Sequence, residues 1–134
     1  MNSPATILVV DDNPTNLKLA ADVLAADGYI ILRARDAGEA RMVIAQTAPD
    51  LILLDIQMPG MDGLALTRLL KANPASAHIR IVALTAFAMK GDDRKAAAAG
   101  CDGYITKPID TRKLGAEVAG ILARPPAPPA GPTP

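Results

Sequence analysis

Residues 51–63 read LILLDIQMPGMDG. Four apolar residues, Leu51 to Leu54, stop abruptly at an acid, Asp55. The loop Met58–Pro59–Gly60–Met61–Asp62–Gly63 follows, and apolar residues then recur at helical spacing from Leu64 to Lys71. A short apolar run bounded by turn residues reads as a strand buried on both faces, and the stretch after it as a helix. Strand, acidic end, loop and helix make one unit of an α/β fold.

The same unit recurs on both sides. Ile7 to Val10 is a buried strand that ends at Asp11–Asp12. Asn13 is placed to cap a helix with Pro14 in its first turn, Leu17, Ala20, Ala21 and Leu24 form its inner face, and Gly28 ends it. Tyr29 to Ala34 reads as a second strand, with Asp36 capping the next helix. Ile79 to Leu84 reads as a fourth strand, followed by an Ala-rich helix from about Ala88 to Ala99 that stops at Gly100. Tyr104 to Thr106 is a short fifth strand. A last helix begins near Asp110 and carries Leu114, Val118, Ile121 and Leu122 on one face. Strands alternating with helices predict a doubly wound, five-stranded parallel sheet flanked by five helices. Among the topologies that right-handed crossovers allow, the order 2-1-3-4-5 is expected. The expected domain spans residues 5–123. Residues 124–134 form a proline-rich tail that holds six of the chain's 12 prolines and cannot build a core.

Composition narrows the function. The 134 residues carry 14 basic and 14 acidic side chains with no basic block, which argues against direct nucleic-acid binding. The apolar runs are too short to span a bilayer, and no charged-then-apolar leader is read. With one cysteine, Cys101, an intrachain disulfide is impossible, and a reducing cytoplasm fits. His78 is the single histidine and follows a loop-like stretch, so neither a usual zinc site nor a serine-hydrolase triad can be assembled. No Gly-rich fingerprint follows strand 1, where Asp11–Asp12–Asn13 would repel a pyrophosphate.

Chemistry gathers at the carboxyl ends of the strands, where ligands of open α/β sheets bind. Strand 1 ends at Asp11–Asp12, strand 3 at Asp55, strand 4 at Thr85 and strand 5 at Lys107. Each alone has an ordinary reading as cap, turn or loop. Together they bring three carboxylates to one place, and two carboxylates about 5 Å apart repel by roughly 3 kcal/mol at an effective dielectric near 20. Mg²⁺, hard and oxygen-seeking, is the expected counterion, with Lys107 as a second positive charge. Asp55, ionised at neutral pH, is then a nucleophile toward phosphorus. Mg²⁺ and Lys107 would neutralise phosphoryl oxygens and Thr85 would hydrogen-bond one of them.

These residues resemble the receiver domain of bacterial two-component response regulators, over about residues 5–123. The resemblance rests on Val9–Val10–Asp11–Asp12–Asn13, on Leu53–Leu54–Asp55 with the loop through Gly63, on Leu84–Thr85–Ala86 and on Lys107–Pro108. It implies a CheY-like, flavodoxin-like fold, Asp55 as phosphoacceptor, and Asp11, Asp12, Asp55 and the Gln57 backbone carbonyl as Mg²⁺ ligands. It also implies a switch of Thr85 and Tyr104, and a cis Lys107–Pro108 bond. A histidine kinase or histidine phosphotransfer protein would be the donor, docking beside Asn16, Leu17 and Pro108. A downstream protein would read the helix 4–strand 5–helix 5 face, to which the run Ala96–Ala99 belongs. A monomer or a weak phosphorylation-dependent dimer is expected. Residues Thr85–Asp92, Gly100–Cys101 and Tyr104–Ile105 resemble more narrowly the stand-alone regulators of the DivK type, which act in cell-cycle and polar-differentiation control. Similar strings occur in receiver modules of hybrid kinases.

Phe87, two residues beyond Thr85, is placed to exclude hydrolytic water from a phosphorylated Asp55; helix packing is its alternative role. An aspartyl-phosphate phosphatase would need an acid/base at Gln57 and a cap domain, and neither is read. A receiver that no longer takes phosphate would have lost a pocket residue, and none is lost. The chain is therefore expected to be a signalling switch, not an enzyme, with output by protein contact.

Overall fold

The computed structural model describes residues 4–56, 63–85 and 92–124. Ten elements alternate: β1 (Thr6–Val10), α1 (Pro14–Ala26), β2 (Ile30–Ala34), α2 (Ala37–Gln46), β3 (Leu51–Asp55), α3 (Gly63–Ala72), β4 (Arg80–Thr85), α4 (Asp92–Ala99), β5 (Gly103–Thr106) and α5 (Leu114–Leu122). The strands form one parallel sheet in the order β2-β1-β3-β4-β5, as expected.

Burial explains the strand sequences. The three inner strands are covered on both faces and read as nearly unbroken apolar runs, with β3 buried from Leu51 to Asp55. The edges β2 and β5 are only partly covered. One face of the sheet packs Leu8, Val10, Ile52, Leu54, Ile81 and Ala83 with residues of α2, α3 and α4. The other packs Ile7, Val9, Leu51, Leu53, Val82 and Leu84 with α1 and α5. Fully burying one such aliphatic side chain contributes about 1.5–3 kcal/mol.

Helix ends follow local chemistry. The Asn13 side chain accepts from the N–H groups of Thr15 and Asn16, with Pro14 opening α1. The Asp36 side chain accepts from Glu39 N–H and caps α2. Gly28 and Gly100 take φ of 96° and 105°, the left-handed conformation that ends a helix at least cost in glycine.

Three readings shift. α5 begins at Leu114, not near Asp110: residues 111–113 form a turn in which the N–H groups of Lys113 and Leu114 bond to Asp110 O. Ala96 and Ala99 are buried while Ala97 and Ala98 face solvent, so half of the alanine run is core. Leu17 is buried in the α1–α5 core, so of the expected docking group only Asn16 and Pro108 reach the surface. The start of the expected fourth helix and the proline-rich segment 125–134 lie outside the described residues. His78 is exposed in the α3–β4 connection, as its sequence context suggested.

A buried lysine was not foreseen. Lys71 is 0% exposed, and its ammonium donates to Ala77 O at 3.2 Å, Ile79 O at 2.8 Å and Asp102 Oδ2 at 3.0 Å. Three donors meet three acceptors, which is what makes a buried ammonium tolerable.

Candidate functional site

The parallel sheet fixes where its strands end. β1 and β3 are hydrogen-bonded neighbours, with Val10 beside Leu54, so the residues that follow, Asp11 and Asp55, emerge side by side. Asp12 is the next residue after Asp11. The carboxylates of Asp11, Asp12 and Asp55 each offer an oxygen, and these oxygens lie within 4.8 Å of one another. Asp11 and Asp55 are 1% and 2% exposed, whereas Asp12 faces water. β4 and β5 end together through the pairing of Thr85 with Thr106, and Lys107 N–H donates to Thr85 O. That brings the Lys107 ammonium to 3.0 Å from Asp55 Oδ2 and 3.4 Å from Asp11 Oδ2.

The two partners of Lys107 are not equivalent. It donates a hydrogen bond to Asp55 Oδ2. Its approach to Asp11 is an ion-pair contact without hydrogen-bond geometry. Asp11 Oδ1 accepts from Asn13 N–H at 2.9 Å, while Asp11 Oδ2 is buried with no hydrogen-bond partner among the described residues. Burial pushes the Asp11 carboxyl above its usual range, aided by the Asp55 charge and opposed by Asn13 N–H and Lys107. Burial alone would pull Lys107 down, but Asp55 and Asp11 outweigh it and raise it. The pocket thus holds more negative charge than its own lysine satisfies.

An orphaned, buried carboxylate oxygen within reach of two further carboxylates fits a hard divalent cation. Oxygen donors of this kind suit Mg²⁺.

The remaining expected positions are distributed as follows. Thr85 ends β4 and is 1% exposed. Tyr104 on β5 is half-buried against the α2–α3–α4 side of the core. The Lys107–Pro108 bond is cis. Gln57 and Phe87 lie outside the described residues. Sequence reasoning missed one contributor, Gly63: a Cβ there would stand 2.5 Å from Ile56 Cα and 3.1 Å from Asp55 O. The first turn of α3 rests directly on the backbone beneath the pocket. Gly63 was read as the last residue of the loop; it is the first residue of α3, a position where glycine is a poor helix former.

Fold and pocket together define a signalling receiver, and the family model for the response regulator receiver domain matches residues 7–119. The chain belongs to that family. It is 44% identical over 111 residues to the polar-differentiation response regulator DivK of Brucella anthropi, covering 83% of this chain and 90% of that one. The DivK protein of Brucella ovis is 44% identical over 109 residues, 81% of this chain and 89% of its own. Among solved structures, a response regulator from Chloroflexus aurantiacus superposes with a TM-score of 0.85 at 33% identity, covering 91% of this chain and all of that one. The receiver domain of a signal transduction histidine kinase from Syntrophus aciditrophicus gives 0.80 at 35% identity, covering 89% and 90%. The chain is a CheY-like receiver domain with DivK-like homologues. Among the described residues no helix is long and apolar enough to cross a membrane.

Proposed function

We propose that the chain is a phosphorelay switch that accepts a phosphoryl group on Asp55 from a histidine kinase or a histidine phosphotransfer protein. The observation that carries this reading is the Asp55 carboxylate at the carboxyl end of β3. It is almost fully buried, it is hydrogen-bonded to Lys107, and it lies beside an Asp11 oxygen that has no hydrogen-bond partner among the described residues.

Asp11, Asp12 and Asp55 would hold Mg²⁺, with the Gln57 backbone carbonyl as a further ligand. Bound there, the ion supplies neutralisation of phosphoryl oxygens. Asp55 contributes the attacking carboxylate oxygen, which forms a bond to phosphorus as the bond to the donor breaks. Lys107 follows the developing charge, its ammonium already at 3.0 Å. Thr85 hydrogen-bonds the transferred group, and Tyr104 responds to the Thr85 side of the pocket. Phe87 slows hydrolysis by excluding water.

Output is by protein contact through the α4–β5–α5 face, in the cytoplasm, without direct nucleic-acid binding. The protein assists only its own phosphorylation and dephosphorylation and turns over no other substrate. It acts as a monomer or a weak phosphorylation-dependent dimer. The DivK relatives favour a role in polar differentiation. The histidine-kinase receiver at 35% identity favours a second reading, a receiver module of a hybrid kinase.

Incubation with acetyl phosphate and Mg²⁺, followed by intact mass, tests the proposal. The wild type gains one phosphoryl group in a metal-dependent way and Asp55→Asn does not. No gain in the wild type, or an equal gain in the variant, refutes it.

A further inference from the structure

β5 has an unusual mechanical position. It is four residues long, lies at the sheet edge with β4 as its hydrogen-bonded neighbour, carries Tyr104, which packs against the α2–α3–α4 side of the core, and is followed by Lys107, which reaches the pocket. A four-residue edge strand has ladder hydrogen bonds on one side only, so few backbone bonds hold it to the sheet. Its upper end is tied by Lys107 N–H to Thr85 O at 2.6 Å.

Its lower end is tied by Asp102. The Asp102 N–H donates to Ile81 O at 2.7 Å, and Ile81 N–H donates back to Asp102 Oδ2 at 2.8 Å. The side chain thereby continues the ladder to β4. The same Oδ2 accepts from Lys71, which also donates to Ala77 O and Ile79 O just before β4. The ion pair is buried, with side chains 0% and 6% exposed, so water does not compete for it.

Lys71 belongs to a stripe on α3 with Thr67 and Gly63 at four-residue spacing. Thr67 Oγ1 donates to Gly63 O and lies 3.9 Å from Cys101 Sγ. Gly63 rests on the backbone of Asp55 and Ile56. One buried line therefore runs from the floor of the pocket, down α3, to the residue just before β5.

We propose that Lys71 and Asp102 are positioning residues: they lock the start of β5 to α3 and β4 and so set where Lys107 and Tyr104 stand relative to Asp55. The part that concerns phosphorylation rests on the reading of Asp55 above; the part that concerns β5 does not.

The test uses two variants. Asp102→Asn keeps a carbonyl oxygen in place of Oδ2 that can still accept from Ile81 N–H and Lys71; it removes the counter-charge of the buried ammonium, so protection falls across the whole sheet while β5 stays tied. Lys71→Met/Asp102→Leu removes the lock while leaving no buried charge to unfold the chain. Hydrogen exchange is measured on the amides of Ile105 and Lys107 and on those of β1 and β3. In the double variant β5 protection falls about 10-fold more than that of β1 and β3, and in Asp102→Asn the difference stays within about twofold. Phosphorylation by acetyl phosphate slows about 10-fold in the double variant, while Mg²⁺ affinity, set by β1 and β3, stays within about twofold of wild type. In the double variant, equal loss of protection across β1, β3 and β5, or none at β5, overturns the proposal whatever the phosphorylation result. A wild type that takes no phosphoryl group refutes the reading of Asp55 and leaves the exchange result to decide the lock.

Discussion

Replacing Asp11 by asparagine separates what the pocket does for function from what it does to the fold. At the 4.8 Å limit of the acidic cluster, the Asp55 charge costs Asp11 about 3.5 kcal/mol at an effective dielectric of 20. Lys107 at 3.4 Å returns about 5 kcal/mol on the same scale, and is shared with Asp55. Asp12 adds repulsion that water screens. The charge terms nearly cancel, and the cost that survives is the buried Oδ2, which has no hydrogen-bond partner among the described residues, about 1–3 kcal/mol. Asparagine keeps Oδ1 for Asn13 N–H and puts an amide donor where that oxygen stood.

Asp11→Asn is therefore expected to be more stable than wild type in EDTA by about 1–3 kcal/mol, roughly 4–12 °C in Tm for a domain of this size. The effect of Mg²⁺ is reversed: at about ten times its Kd it stabilises the wild type by about 1.4 kcal/mol and the variant by far less. The pH dependence has a definite sign. A carboxyl raised above its unfolded value of 3.8 contributes stability below that value and loses it as pH rises through the folded pKa. In EDTA the wild type thus loses ground to Asp11→Asn as pH rises through the acid range toward neutrality, and Mg²⁺ reduces the gap. Thermal unfolding of both proteins, with EDTA and with Mg²⁺, from about pH 4, close to the unfolded carboxyl value, to about pH 7.5 decides. A variant less stable than wild type in EDTA, or one with the full Mg²⁺ response, refutes the reasoning.

Two further outcomes are expected. Gly63→Ala should destabilise the protein by about 1–3 kcal/mol in urea unfolding, although alanine is the better helix former, because its Cβ would meet Ile56 backbone; a stabilised variant would show that α3 can shift away from the pocket floor. The Cys101 thiol, pushed by burial from its ordinary 9.0 up to about 11, should be alkylated in the native state at least ~100-fold more slowly than in urea near pH 8. Equal rates would mean that the α3–α4 core opens readily.

The amino-acid sequence alone determined the strand–helix alternation, because inner parallel strands must be apolar on both faces and therefore stand out as runs such as Leu51–Leu54. It also brought the acidic cluster together: Asp55 and Thr85 end strands, Asp11 and Lys107 directly follow them, Asp12 comes next after Asp11, and a parallel sheet delivers all such ends to one edge. Caps at Asn13 and Asp36 were legible because their chemistry is local.

What only the tertiary structure decided is pairwise and long-range. The four alanines Ala96–Ala99 look alike as surface or core until the packing partners are in place; Leu17 was legible as the inner face of α1, and its burial removes it from the docking group. The true start of α5 depends on how residues 111–113 turn against Asp110. Lys71 was only the last residue of the expected third helix, and nothing local marks Asp102 as its partner, 31 positions away. Nor could spacing reveal that Lys107 hydrogen-bonds Asp55 and leaves an oxygen of Asp11 with no hydrogen-bond partner among the described residues. Strand periodicity is a property of short segments, whereas the pairing of buried charges depends on which segments the fold brings together, and that asymmetry sets how far the residues could be read alone.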